Sequence, residues 1–143
     1  CDNLEDALDR SLSYIPADSD CAAAVKLARG LVGQADGGIS IRKHYPDMSV
    51  VHTVNNLALV VWALLSHPDD FSAAIGDVVA AGLDTDCNGA TVGALWGLQD
   101  KTIPDFWSAP WGGNVGLSLA GTDTVNVAEL IDRTVAVTVN LSE

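Results

Sequence analysis

The sequence predicts an all-α fold, and two observations carry that prediction. Apolar residues recur at intervals of three and four along most of the 143-residue chain, which is the spacing of one helix face. The one candidate for strand-type alternation, VAVTVNL near the end, continues the helical pattern of the residues before it. With 48% hydrophobic residues and no linker-like segment, the chain is long enough for a single multi-helical domain.

The front of the chain predicts two antiparallel helices followed by a loop. The first helix follows an apolar repeat and stops at Pro16, because proline interrupts the helical hydrogen bonds. A second, alanine-rich helix is capped by Asp18 or Ser19 and runs to about Arg29. Residues 33–46 contain three glycines and little periodicity, so we expect a loop that borders a cleft.

The middle and the end of the chain predict further helices. The most apolar run, residues 50–66, is interpreted as a core helix because it is too short to span a membrane and begins with polar residues. The next helix starts at residues 68–70 and ends at Gly82. Helical spacing resumes over residues 88–98, and a final helix is predicted over residues 125–139.

The composition argues against two classes of partner and suggests a compartment. Seven basic and nineteen acidic residues give a formal charge of −12, so the chain would repel nucleic acid and anionic membrane surfaces. Cys1, Cys21 and Cys87 form no C-x-x-C pair, and an odd count is not a disulfide framework. We therefore expect a cytoplasmic protein. Because the chain lacks an initial Met and enters a helical pattern at once, we interpret it as a fragment of a longer protein.

The stretch richest in chemistry is GLDTDCNGATVG, residues 82–93. Its D-x-D-x-N-G pattern matches the first half of a calcium loop, but the twelfth position, which requires a bidentate Glu, is Leu95. What remains is a pair of carboxylates, Asp84 and Asp86, between two predicted helices; Mg²⁺ or Mn²⁺ would turn their repulsion into attraction. The alternative is that Asp86 caps the predicted helix over residues 88–98 while Asp84 stays in solvent. Residues 84–87 are called the acidic strap below.

A second polar group lies at the start of the core helix. The spacing of His52, Asn55 and Asn56 places His52 with one of the two asparagines on one helix face. These side chains are candidates for contacts with substrate or with a metal-bound water. The alternative is that they satisfy buried backbone groups or one another.

The string from Val50 to Gly97, with D-T-D-C-N after an alanine-rich helix, resembles the C-terminal half of the ADP-ribosylglycohydrolase family, whose signature is G-x-D-T-D-[TSC]-N-x-A. The resemblance extends to I-P-x-x-W, here Ile103, Pro104 and Trp107, and covers most of the chain. It implies a multi-helical orthogonal bundle in which residues 1–143 form the C-terminal part of a single domain.

The resemblance further implies two Mg²⁺ or Mn²⁺ ions in a cleft that receives ADP-ribose. The ligand positions of the family carry over to Asp84, Asp86 and Cys87, although the third position is most often Thr or Ser and a thiol suits Mg²⁺ poorly. A second acidic cluster, T-D-D or S-D-D, and the proposed catalytic base lie in the N-terminal half of the family, and no such motif occurs here.

The function implied is a metal-dependent hydrolase that removes ADP-ribose, or a related glycosyl group, from a protein side chain or a small molecule. The isolated segment is expected to be inactive because only one wall of the cleft is encoded. The alternative is a non-catalytic, crystallin-like relative that retains the fold as a structural or interaction protein.

Overall fold

The computed structural model describes residues 3–140 and confirms a mostly helical fold. The elements in chain order are α1 (Leu4–Leu12), α2 (Asp20–Gly30), α3 (Gly37–His44), α4 (Thr53–Ser66), α5 (Phe71–Ala80), α6 (Thr85–Gly97), two 3₁₀ helices (Asp105–Trp107 and Ala109–Trp111), β1 (Asn114–Leu119), β2 (Thr122–Asn126) and α7 (Val127–Asn140). They fall into two compact units, Cys1–Thr102, called the helical unit, and Ile103–Glu143, called the C-terminal unit. Among residues 3–140, no helix is long and apolar enough to cross a membrane.

Caps whose side-chain oxygen accepts a hydrogen bond fix the starts of three helices in the helical unit. Asn3, Ser19 and Asp70 each accept a hydrogen bond from the backbone N–H three residues further on, at 2.9, 3.2 and 2.9 Å. Each cap satisfies a donor that the first turn of the helix leaves without a partner. The structure thus settles the predicted choice of cap for the second helix in favour of Ser19.

Helix α4 forms the centre of the helical unit and contacts α2, α3, α5 and α6. Ten of its fourteen residues are buried, as expected for a helix with neighbours on most sides. The predicted core helix is therefore confirmed, although it begins at Thr53 rather than at residue 50. His52 sets that start, because its Nδ1 accepts a hydrogen bond from the N–H of Val54 at 3.2 Å.

Helix α3 occupies much of the segment that the sequence predicts to be a loop, and for residues 37–44 that prediction is wrong. The first two residues of α3, Gly37 and Gly38, are buried. A Cβ atom at Gly37 would lie 2.2 Å from Nε1 of Trp62, and one at Gly38 would lie 2.7 Å from Cβ of Ala81. These glycines serve a close helix approach rather than a turn, so glycine content misidentifies the segment.

The C-terminal unit contains a β-hairpin that the sequence analysis does not predict. Strands β1 and β2 pair antiparallel, with Asn114 opposite Asn126, and Gly121 lies between them at a left-handed φ of 79°. The strand residues are almost all exposed, so no buried face imposes a clear alternation of apolar and polar residues. The predicted final helix is confirmed as α7, which begins two residues later than expected.

Candidate metal centre

The acidic strap follows a sharp reversal of the backbone between α5 and α6. Gly82 and Leu83 both lie in the left-handed region, with φ of 83° and 62°. For a leucine this conformation costs roughly 1–2 kcal/mol, and such strain is concentrated at functional sites. The reversal makes Asp84 the N-cap of α6, which begins at Thr85 rather than at the predicted residue 88. The strap therefore forms the cap and first turn of a helix.

The three predicted ligands of the strap lie close together. One ligand atom each from Asp84, Asp86 and Cys87 lies within 4.8 Å of the others. Asp84 is half-buried, whereas Asp86 and Cys87 are exposed. Asp84, rather than Asp86, occupies the cap position, and its carboxylate makes no capping hydrogen bond within the described part of α6. Its oxygens consequently do not cap the backbone N–H groups of the helix.

Hydrogen bonding and charge within the strap shift two pKa values. A hydrogen bond with the Asp84 carboxyl group, assisted by the backbone N–H groups of Asp86 and Cys87, lowers the pKa of Asp86. A hydrogen bond to Asp84, followed by the negative charges of both aspartates, raises the pKa of Cys87. Independently of this pKa, sulfur is a soft donor and therefore a poor ligand for a hard cation. The two carboxylates fit Mg²⁺ or Mn²⁺, whereas the third position does not.

The strap is joined to the start of α4 by Asn56. Its Oδ1 accepts hydrogen bonds from the backbone N–H of Asp84 at 3.2 Å and from Nδ2 of Asn88 at 2.7 Å. Its Nδ2 donates to the carbonyl oxygens of Val50 and His52 at 2.8 and 2.9 Å. Sequence analysis assigns Asn88 no role at the site. The signal from which Asn88 could have been found is its position one helical turn after Asp84.

The other two predicted substrate contacts are engaged within the start of α4. Asn55 donates to the carbonyl oxygen of Ser49 at 3.0 Å, and its own Oδ1 accepts from Nδ2 of Asn56 at 3.2 Å. His52 is exposed and caps α4. These bonds satisfy backbone groups and neighbouring side chains, as the alternative interpretation of these residues predicts. The assignment of His52, Asn55 and Asn56 to substrate contact stays a prediction.

A groove of about 360 Å³ lies beside the strap, bounded by α1, α4 and α6. The strap, α6 and the first turn of α4 contribute its polar side chains, and the remaining wall is largely apolar. The apolar lining residues are Leu4, Leu8, Val51, Leu57, Val60, Val61, Leu64 and Leu95. Leu95, which occupies the twelfth position of the rejected calcium loop, thus forms part of an apolar wall. We call this concavity the strap groove.

A helical fold with converging carboxylates at the start of one helix defines a class of protein with a candidate site for divalent cations. Within that class, the family model described as ADP-ribosylglycohydrolase matches residues 1–139. The chain belongs to the ADP-ribosylglycohydrolase family, as the strap and its helical setting indicate. No curated protein and no solved structure was found to match the chain.

Proposed function

We propose that this chain is the C-terminal part of a metal-dependent hydrolase that removes ADP-ribose, or a related glycosyl group, from a protein side chain or a small molecule. The observation that carries the proposal is the convergence of ligand atoms from Asp84, Asp86 and Cys87 within 4.8 Å, in a member of the ADP-ribosylglycohydrolase family. The family implies ADP-ribose substrates. A cytoplasmic location belongs to the same proposal and rests on the cysteine pattern of the sequence.

The two aspartates of the strap would hold Mg²⁺ or Mn²⁺ as one wall of a two-ion centre. When bound, such ions supply Lewis acidity toward sugar hydroxyls and a lowered pKa of water. Asp84 and Asp86 would act as ligands rather than as proton donors or acceptors. The second acidic cluster and the catalytic base would come from residues outside this sequence.

The strap groove would receive the substrate, because Asp84 and Cys87 of the strap line this concave surface. Its apolar wall would exclude water from one side of the ligand, which strengthens electrostatic interactions at the strap end. Asn56 is the one of the three predicted substrate contacts that lines this groove. The position of Asn56 beside Asp84 supports a role at the site.

The test compares the double variant Asp84→Asn/Asp86→Asn with Asp36→Asn. Asp36 is a suitable control because it is an exposed N-cap, on α3, that also lacks a capping side-chain bond. In the unmodified chain, Mn²⁺ should broaden the amide resonances of residues 84–87, and the complete protein should release ADP-ribose. The double variant should lose both signals, and the control should keep them. Full retention of both signals in the double variant would refute the assignment.

A non-catalytic, crystallin-like relative is the second candidate, and Cys87 favours it. A soft thiol occupies the third ligand position, where the family most often has a hydroxyl group. In a complete protein of this second kind, the T-D-D or S-D-D cluster would be missing and Mn²⁺ would restore no turnover. Cys87→Thr supplies the usual hydroxyl, so increased turnover in that variant would argue for the hydrolase.

A further inference from the structure

We infer that Asn56 is a positioning residue that sets the acidic strap against α4 by holding the backbone N–H of Asp84. The inference rests on the proposed function, in which the strap binds the cation. Asn56 belongs to a chain of three buried amides, in which Asn55, Asn56 and Asn88 are 1%, 8% and 3% exposed. Their hydrogen bonds run from the first turn of α4 to the first turn of α6.

The orientation of the Asn56 carboxamide is determined by its neighbours. Carbonyl oxygens of Val50 and His52 face its nitrogen, and the N–H of Asp84 faces its oxygen. Reversing the amide would oppose donor to donor and acceptor to acceptor, and a buried polar group without partners costs about 1–3 kcal/mol. The oxygen is therefore held toward the strap.

The local hydrogen bonds of the strap stay within its own turn, as in the bond from the N–H of Asn88 to the carbonyl oxygen of Asp84 at 2.9 Å. Leu83 precedes it in the left-handed region, and the Asp84 side chain does not cap its own helix. The bond from the Asp84 N–H to Asn56 is a link across 28 residues of sequence. It fixes the backbone from which one carboxylate ligand extends, as hydrogen bonds to ligating residues do in metal sites.

Asn55 provides a matched control for this role. It is also a buried asparagine, but its hydrogen-bond partners, Ser49 and Asn56, both belong to the segment around the start of α4. Asn55→Ala and Asn56→Ala should both lower thermal stability, because each removes a buried amide. If the role of Asn56 were only structural, the two variants would also show the same hydrogen exchange at Asp84 and the same affinity for Mn²⁺.

The experiment measures amide hydrogen exchange at Asp84 and the affinity of the chain for Mn²⁺ in each variant. In Asn56→Ala, exchange at Asp84 should become about tenfold faster, the effect of one lost hydrogen bond. The Kd for Mn²⁺ should rise about 10- to 100-fold, as when outer partners of metal ligands are removed. In Asn55→Ala, both quantities should stay within about twofold of the unmodified chain. Equal changes in the two variants would overturn the inference.

Two further outcomes are decisive. If Asn56→Ala does not fold, Asn56→Ser replaces it, since the shorter side chain also withdraws the amide oxygen from the N–H of Asp84; unchanged exchange at Asp84 there would overturn the inference. If the unmodified chain shows no Mn²⁺ broadening at residues 84–87, the proposed function of the strap fails. Exchange at Asp84 then still decides the positioning role, which requires acceleration in Asn56→Ala and not in Asn55→Ala.

Discussion

The backbone of Gly37 lies against the indole ring of Trp62, so closely that a Cβ atom at Gly37 would come within 2.2 Å of Nε1. The ring cannot easily move away, because the same Nε1–H donates a hydrogen bond to the carbonyl oxygen of Leu31 at 3.1 Å. Helix α3 is thereby packed on α4 through a contact that has no room for a methyl group.

Gly37→Ala should therefore destabilise the helical unit by about 2–3 kcal/mol, through overpacking and displacement of a buried hydrogen bond. The control is Gly76→Ala in α5, where no atom lies within 4 Å of an added Cβ. That change should stabilise the chain by about 0.5–1 kcal/mol, because alanine is the better helix former. Urea unfolding followed by circular dichroism measures both, and effects of the same sign would contradict the close contact.

The left-handed backbone at Leu83 predicts an unusual response to a small change of side-chain shape. Leu83→Ile keeps the volume but places a β-branched residue at a φ of 62°, which should cost about 1–2 kcal/mol. Leu57→Ile is the matched control, since Leu57 is also half-buried but lies in a regular helix. Its cost should stay near 0.5 kcal/mol. Equal shifts of the unfolding midpoint would count against the left-handed conformation.

The raised pKa of Cys87 predicts slow alkylation of its thiol. The thiolate is the reactive form, so a higher pKa leaves less of it at pH 8. Asp84→Asn removes the charge and alters the hydrogen bond that raise this pKa, and iodoacetamide should then modify Cys87 faster at the same pH. Peptide mass spectrometry follows the reaction, with half-buried Cys21 as an internal reference whose rate should not change. Unchanged reactivity of Cys87 would contradict the coupling to Asp84.

The ion pairs between α1 and α2 predict a small loss of stability when lysine replaces Arg29. One guanidinium nitrogen, Nη2, lies 2.8 Å from Glu5 and 2.7 Å from Asp9, and the shorter lysine side chain does not bring its ammonium nitrogen to the same place. Arg29→Lys should cost about 0.5–1 kcal/mol, with a smaller effect in 1 M NaCl. Arg10→Lys should have almost no effect, because its ion pair with Asp6 is exposed and 3.8 Å long. Thermal unfolding at low and high salt distinguishes the two.

Local signals in the sequence predict those elements whose start or burial is determined by residues nearby in the sequence. The cap at Ser19 and the continuous burial of α4 are of this kind. The helix at residues 37–44 could not be recognised, because its two glycines have meaning only once the ring of Trp62 is in place. The exposed hairpin lacks the buried face from which a strand is recognised.

The same distinction applies to the candidate site. The spacing of Asp84, Asp86 and Cys87 predicts that they lie together, and the first turn of α6 brings their ligand atoms within 4.8 Å. The bond between Asn56 and Asp84 depends instead on the packing of α4 against α6. No local pattern encodes such a contact, although the polar residues at the start of a core helix indicate where to search.

Because Asn56 links their first turns, α4 and α6 both begin beside the acidic strap. The N-terminus of a helix carries a partial charge of about +0.5, so two positive dipole ends adjoin the two aspartates. The architecture itself thereby offsets part of the repulsion between these carboxylates. The chain should accordingly keep its circular dichroism spectrum in a chelating buffer. Mn²⁺ should raise its melting temperature only by the amount that the free Mn²⁺ concentration and the Kd for Mn²⁺ account for.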